Sequence, residues 1–454
     1  MLEKLKAMLS GIAADYADLR YELVRETKFS FNGRELTGLS SSSTDGYVLR
    51  VLAGGGMSSI AFTKPEDAAE AVATCIQNAK LVGRQAKEPV RLARTEVVKA
   101  VFRPTLDIDP RKVSIDEKLA QTRKYNDMAL ASKKVATTQL GYGELTREKT
   151  FVSTEGTEIE EELVTVRILG SIISREGTLT QTVRVGFGGS DGYGRLVGRE
   201  ADMAQRVKLA EDLLSAEPVK AGTYRVVLDQ KLAGVFTHEA FGHFSEADLI
   251  EDSPTMREKM KIGAKLGSDV VNIKDDPTMP NQLGFYKYDD EGVAARPTQL
   301  MKNGVLVGRL HSRRTAAAFG EPLSGHCVAE DYRYAPIIRM GNIYIEPGPY
   351  RLEELLEKLG DGLYLCNAMG GQTSGENFTF GAQYGFVVKN GKSGQMVRDI
   401  NIGGNLYHTL ESIKAVGNDL KLGEIGGCGK GQTNIRSSHG APHVLVEDLV
   451  IGGR

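Results

Sequence analysis

Three Asn-Gly dipeptides punctuate the chain, at Asn32-Gly33, Asn303-Gly304 and Asn390-Gly391. Asn and Gly both tolerate positive φ, so this pair is the preferred two-residue loop of a β-hairpin. The flanking segments alternate apolar and polar residues, which matches half-buried strands. With 52 glycines among 454 residues, the chain is expected to hold much antiparallel β-structure. A chain this long exceeds one ordinary core, so two domains are expected. The break falls at Ser215-Ala216-Glu217-Pro218, dividing the chain into 1–217 and 218–454. The fold class read from this pattern is α+β: an N-terminal α+β domain, then a mostly antiparallel β domain.

Local signals fill in the first domain. An amphipathic helix is expected at the N-terminus, with Leu2, Leu5, Leu9, Ile12, Tyr16 and Leu19 at helical spacing among charges, which is unlike a signal peptide. Short strands are expected over 21–26, 28–31, 35–41, 46–53 and 57–62. Helices should open at the capping boxes beginning with Thr63 and Ser114, and a further helix should run over 198–214. The glycine-rich stretches Gly370-Gly371-Gln372 and Gly403-Gly404-Asn405 match no phosphate-binding loop and are expected as turns between strands.

The second domain opens with a strand-like run, 224–229, and then His238-Glu239-Ala240-Phe241-Gly242-His243. Histidine is scarce here, with seven in the chain, and two of the seven flank this glutamate. Neutral imidazole is a good zinc ligand, and an adjacent glutamate can act as general base toward a water the metal activates. In an α-helix residues four apart are about 40° apart around the axis, whereas residues five apart are about 140° apart. Both imidazoles reach one ion only if the helix ends or distorts between them, and Gly242 is the expected place.

A catalytic zinc site takes three protein ligands. Candidates for the third are Cys428, Cys327 beside His326, His439, His443, Glu246 and Asp248. Cys428 ranks first, because the glycines of Gly426-Gly427-Cys428-Gly429 allow close backbone approach. Cys75 and Cys366 sit in apolar surroundings and read as core residues. His311, His326 and His408 read as structural or surface residues.

Composition excludes several classes. With 57 basic and 59 acidic residues the net charge is −2, which offers no electrostatic case for nucleic acid or an anionic membrane. No apolar run approaches the roughly 20 residues of a membrane span. None of the four cysteines forms a C-x-x-C pair, so reduced thiols in a cytoplasmic protein are expected.

The chain resembles the TldD/PmbA (TldE) family, zinc metallopeptidases formerly described as modulators of DNA gyrase. The resemblance runs through Ser40–Ser43 with Gly46-Tyr47, Gly234–His243, Asp290-Glu291-Gly292-Val293, Asn303-Gly304-Val305-Leu306, Arg339-Met340-Gly341-Asn342, Phe380-Gly381-Ala382 and Gly427–Gln432. It departs at Gly325-His326-Cys327, where the family usually carries asparagine and arginines. The intact histidine motif resembles the catalytic TldD type. The resemblance implies that His238, His243 and Cys428 hold zinc, and that Glu239 is the general base. It also implies that short or unfolded peptides are bound as an added strand in a closed groove, and that the chain acts as a homodimer or beside a motif-less TldE/PmbA-type paralogue. Two rival readings stand beside this one. One is a non-catalytic regulatory protein whose zinc is structural, closed by Cys327 or His439. The other is a metal-dependent hydrolase of non-peptide amides.

Overall fold

The computed structural model describes residues 1–453. Residues 16–189 build one seven-stranded sheet. Its central strand, Tyr16–Asn32, pairs antiparallel along its length with Glu35–Ala53 on one side and Val135–Ser153 on the other. The short strands expected between 21 and 53 are therefore two continuous ones. The Ser40–Ser43 run does not break its strand, because each serine stays in register with its partner across from Thr27 and its neighbours. The N-terminal helix is also shorter than the apolar spacing suggests. It spans Leu2–Leu9, and Gly11 turns the chain at φ 73°. Tyr16 and Leu19 instead begin the central strand, where Leu52 and Leu49 face them. Their spacing of three fits a helix, but cross-strand pairing claims them.

Helices Ala68–Gln85, Ile115–Leu130 and Glu200–Asp212 complete this half. Ser114 caps the second as expected, accepting from the Glu117 N–H at 3.2 Å. Thr63 caps nothing: the first enters through a 3-10 turn, Pro65–Asp67, with no side-chain cap.

From Glu217 onward the chain forms two larger sheets, mostly antiparallel, and a two-stranded ladder. Five strands of the larger sheet close on themselves in the order Gly362–Ser374, Gly222–Leu228, Val444–Gly452, Ile400–Asn405 and Asn377–Lys389. Asn303-Gly304 and Asn390-Gly391 turn hairpins with positive φ at all four residues. Gly370-Gly371 and Gly403-Gly404 are not turns but lie inside strands. A Cβ at Gly371 would sit 1.9 Å from the Phe380 ring, and one at Gly404 2.5 Å from the Phe378 ring. These glycines make room for stacked aromatics rather than for a bend.

The two halves meet across buried charge. Asp290 faces Arg147 and Lys149 at 2.9 and 3.0 Å, and Arg50 joins Asp18 to Glu291. Arg20 donates to the carbonyls of Asp331 and Tyr334. No helix among the described residues is long and apolar enough to cross a membrane.

Candidate metal centre

The motif follows directly from a strand of the closed ring. Asp229 ends Gly222–Leu228 and caps the helix Gln230–Phe236, accepting from the Leu232 N–H at 2.8 Å. Its other oxygen accepts from the Asn367 N–H at 2.9 Å, tying the helix start to the neighbouring strand. Gly234 then packs against Gly440 so closely that a Cβ would lie 2.8 Å from the Gly440 Cα. From Thr237 to Gly242 the helix widens into a π turn, and a 3-10 turn follows over His243–Ser245. A π turn bonds residues five apart, so it brings positions i and i+5 onto one face. That is the distortion His238 and His243 require. Gly242 does not supply it through backbone freedom, since its φ is an ordinary helical −56°. It supplies space: a Cβ there would fall 2.1 Å from the Met340 sulfur.

Cys428 comes from the glycine-rich loop, paired across a bridge with Ile435. The loop is fastened by Gln432, whose side chain accepts from Glu330 N and donates to Ala335 O, and by Thr433, which donates to Glu330. The Cys428 Sγ lies 3.0 Å from His238 Nε2 and 3.5 Å from His243 Nε2. The three ligand atoms lie within 4.8 Å of one another. Zinc bonds of roughly 2.0–2.1 Å to nitrogen and 2.3 Å to sulfur at tetrahedral angles separate the donors by about 3.5 Å. Two imidazoles and a thiol therefore fit zinc in chemistry and in spacing. Glu239 turns its carboxylate toward the same face, 3.9 Å from His243 Nε2, with about a third of the side chain (34%) exposed. Burial raises its pKa above the ordinary carboxylate value.

Behind His243, Glu246 accepts from Nδ1 at 3.0 Å. Lys430 binds Glu246 at 3.0 Å and Asp248 at 2.9 Å, and the buried guanidinium of Arg339 lies 3.9 Å from Glu246. Burial opposes ionisation of Glu246, but the His243 hydrogen bond and the Lys430 and Arg339 charges prevail and lower its pKa. Burial likewise opposes a proton on His243, yet Cys428 and Glu246 push its pKa up to about 10. His238 moves the other way: burial, reinforced by His439, His243 and Arg339, holds it well below the usual value.

The remaining candidates are not among the three clustered ligand atoms. His326 is buried between Asp275 and the Ser324 carbonyl, and Cys327 is strand core. His443 bridges Tyr364 and Asp419, and His311 bridges Thr315 and Glu321. Glu246 and Asp248 stand behind the ligands rather than among them. His439 touches His238 ring to ring, with centroids 5.3 Å apart. Sequence reasoning did not single out Arg339 and Lys430 as site residues. Both lie far from the motif in sequence, so no local spacing signals them; the His243-x-x-Glu246 spacing signals only Glu246.

Two histidines on a distorted helix and a thiol from a loop, beside a closed ring of strands, define the class as a protein with a candidate metal centre. Sequence models of PmbA/TldA metallopeptidases match three segments: domain 1 over residues 17–80, the central domain over 108–215, and the C-terminal domain over 221–453. A metalloprotease of Synechocystis is 34% identical, covering 97% of this chain and 95% of its own. A zinc metalloprotease TldD homolog of Saccharolobus solfataricus is 29% identical with 97% of each chain covered. Among solved structures, a putative modulator of a DNA gyrase from Thermotoga maritima has a TM-score of 0.81 at 21% identity, covering 99% of both chains. TldE from Thermococcus kodakarensis has 0.80 at 19%, covering 100% of this chain and 99% of its own. At these identities the two structures speak for the fold alone. The chain belongs to the PmbA/TldD metallopeptidase family.

Proposed function

We propose that this protein is a zinc-dependent peptidase that hydrolyses short or unfolded peptides. The observation that carries the reading is the convergence of His238, His243 and Cys428 on one point with the Glu239 carboxylate beside them. Zinc, when bound, would polarise both water and the scissile carbonyl. His238 and His243 would hold it through Nε2, and Cys428 through Sγ. Glu246 fixes the tautomer of His243 by accepting from Nδ1, leaving the Nε2 lone pair toward the ion. Glu239 takes the proton of the attacking water and returns it to the leaving amine.

A strand edge supports peptide binding. Gly362–Ser374 pairs with Gly222–Leu228 only as far as Leu365, and its far end reaches the motif, where the Thr373 hydroxyl donates to the Glu239 carbonyl at 3.1 Å. An extended peptide laid on this edge would bond through its backbone, a mode that tolerates many side chains. The expected partner is a second copy or a motif-less relative, and the mass of the purified assembly tests it. Against the structural-zinc reading, such sites are closed by four protein ligands, and the cluster here holds three.

The test separates binding from chemistry. Glu239→Gln should keep about one zinc per chain and lose turnover by a factor on the order of 10² or more. His238→Ala should lose both, and Cys428→Ala should drop well below one zinc per chain. Near-normal turnover in zinc-loaded Glu239→Gln would sink the peptidase assignment, and full occupancy in Cys428→Ala would remove that ligand.

A further inference from the structure

One ligand nitrogen has no partner. His238 directs Nε2 to Cys428, which turns Nδ1 away from the centre, and there Nδ1 is buried without any hydrogen bond. A metal-binding histidine ordinarily donates its second N–H to a carboxylate, carbonyl or water. His243 has such a partner in Glu246. Outside the ligand set, the imidazole of His439 packs against the His238 ring, with centroids 5.3 Å apart and planes at 62°. The approach follows from the fold. His439 sits on the strand Ser438–Ala441, and its neighbour Gly440 meets Gly234 on the motif helix with no room for a Cβ. The side chain one residue before that contact is thus carried to the turn where His238 begins.

We propose that His439 is the positioning residue for His238: when zinc is bound, a ring nitrogen of His439 accepts the His238 Nδ1–H. The separation suits this. A nitrogen–nitrogen hydrogen bond of roughly 3 Å plus two ring radii gives centroids about 5 Å apart. A rotation of the His439 ring about its Cβ–Cγ bond brings nitrogen rather than carbon to that edge. The inference rests on the zinc-site reading above and adds a residue outside the ligand set. The two ligand histidines would then be backed by different chemistry, a carboxylate behind His243 and a neutral imidazole behind His238.

The test is zinc affinity, measured on the full-length protein by competition with a chromophoric chelator. His439→Phe keeps the bulk and removes the acceptor, so affinity should fall by about 10- to 100-fold. His439→Gln supplies an amide oxygen at similar reach and should restore affinity to within a few-fold of the unmodified protein. Circular dichroism and thermal unfolding establish that each variant is folded. Unchanged affinity in folded His439→Phe overturns the proposal. So does a His439→Gln as weak as His439→Phe, since bulk rather than a nitrogen acceptor would then matter. Failure of the unmodified protein to bind zinc would instead overturn the peptidase reading, so the two failures are distinguishable.

Discussion

At the scale of single residues, the centre depends on what is left out as much as on what is present. Gly242 has helical φ, so an alanine there carries no backbone penalty, and helix propensity favours it. The obstacle is the Met340 sulfur, 2.1 Å from where the Cβ would be. Gly242→Ala should therefore cost about 1–3 kcal/mol of stability and weaken zinc binding, because the turn carrying His243 must shift. Met340→Ala in the same chain should recover part of the zinc affinity by freeing the turn. A Gly242→Ala protein with unaltered stability and zinc affinity would show that Met340 yields freely. The arrangement around His243 illustrates the same economy of means. One carboxylate, Glu246, orients the imidazole, and Lys430 and Arg339 keep that carboxylate ionised in a site where burial alone would neutralise it.

At the scale of elements, glycine spacing shapes strands that periodicity alone misreads. Gly371 faces the ring of Phe380, which stacks on Phe378 with centroids 4.7 Å apart, and both rings pack on Phe236 of the motif helix. Gly371→Ala should thus destabilise by about 1–3 kcal/mol in thermal or denaturant unfolding, with Phe380→Leu relieving part of it. An unchanged unfolding midpoint would mean the aromatic stack has slack. Glycine pairs read as turns from sequence because turns are their commonest setting. What distinguishes these is the pair of phenylalanines on the strand that runs between them, a relation visible only once register is known. The Asp229 cap of the motif helix emerged only from the structure, and the π turn was legible only as a requirement, through the five-residue spacing of its histidines.

At the scale of the whole molecule, the two halves are joined by charges that burial makes consequential. Burial alone would raise the pKa of Asp290, but Arg147, Lys149 and Arg20 outweigh it and hold the carboxyl well below the usual range. The folded state therefore favours the ionised form. Its stabilisation is complete above the unfolded value near 4 and is lost as pH falls from there toward the lower folded value. Asp290→Asn should cost about 3 kcal/mol at neutral pH, and the deficit should shrink as pH is lowered from about 4 to 2. A deficit independent of pH would rule out the charge as its source. The position of the centre bears on substrates too. The proposed binding of substrate as an added strand requires an extended peptide, so a denatured polypeptide should be cut and the same sequence within a stable fold should not. Equal rates for the two would exclude binding as an added strand.

Much of the chemistry was written in the order of residues. Two scarce histidines around a glutamate, and a cysteine among glycines 190 positions beyond His238, named the three side chains that the fold brings together, because ligand chemistry depends on residue type and glycine on local geometry. The α+β class and the Asn-Gly hairpins were legible for the same local reason. Tertiary structure alone decided the rest. It merged short strand signals into strands of 17 and 19 residues through cross-strand pairing, and it placed Glu246 and Asp248 behind the ligands rather than among them. It set His439 against His238 by way of a glycine contact between a helix and a strand about 200 residues apart in sequence. Such contacts depend on which surfaces exclude each other's water and on how closely two backbones can approach, and neither is a property of any local stretch of sequence.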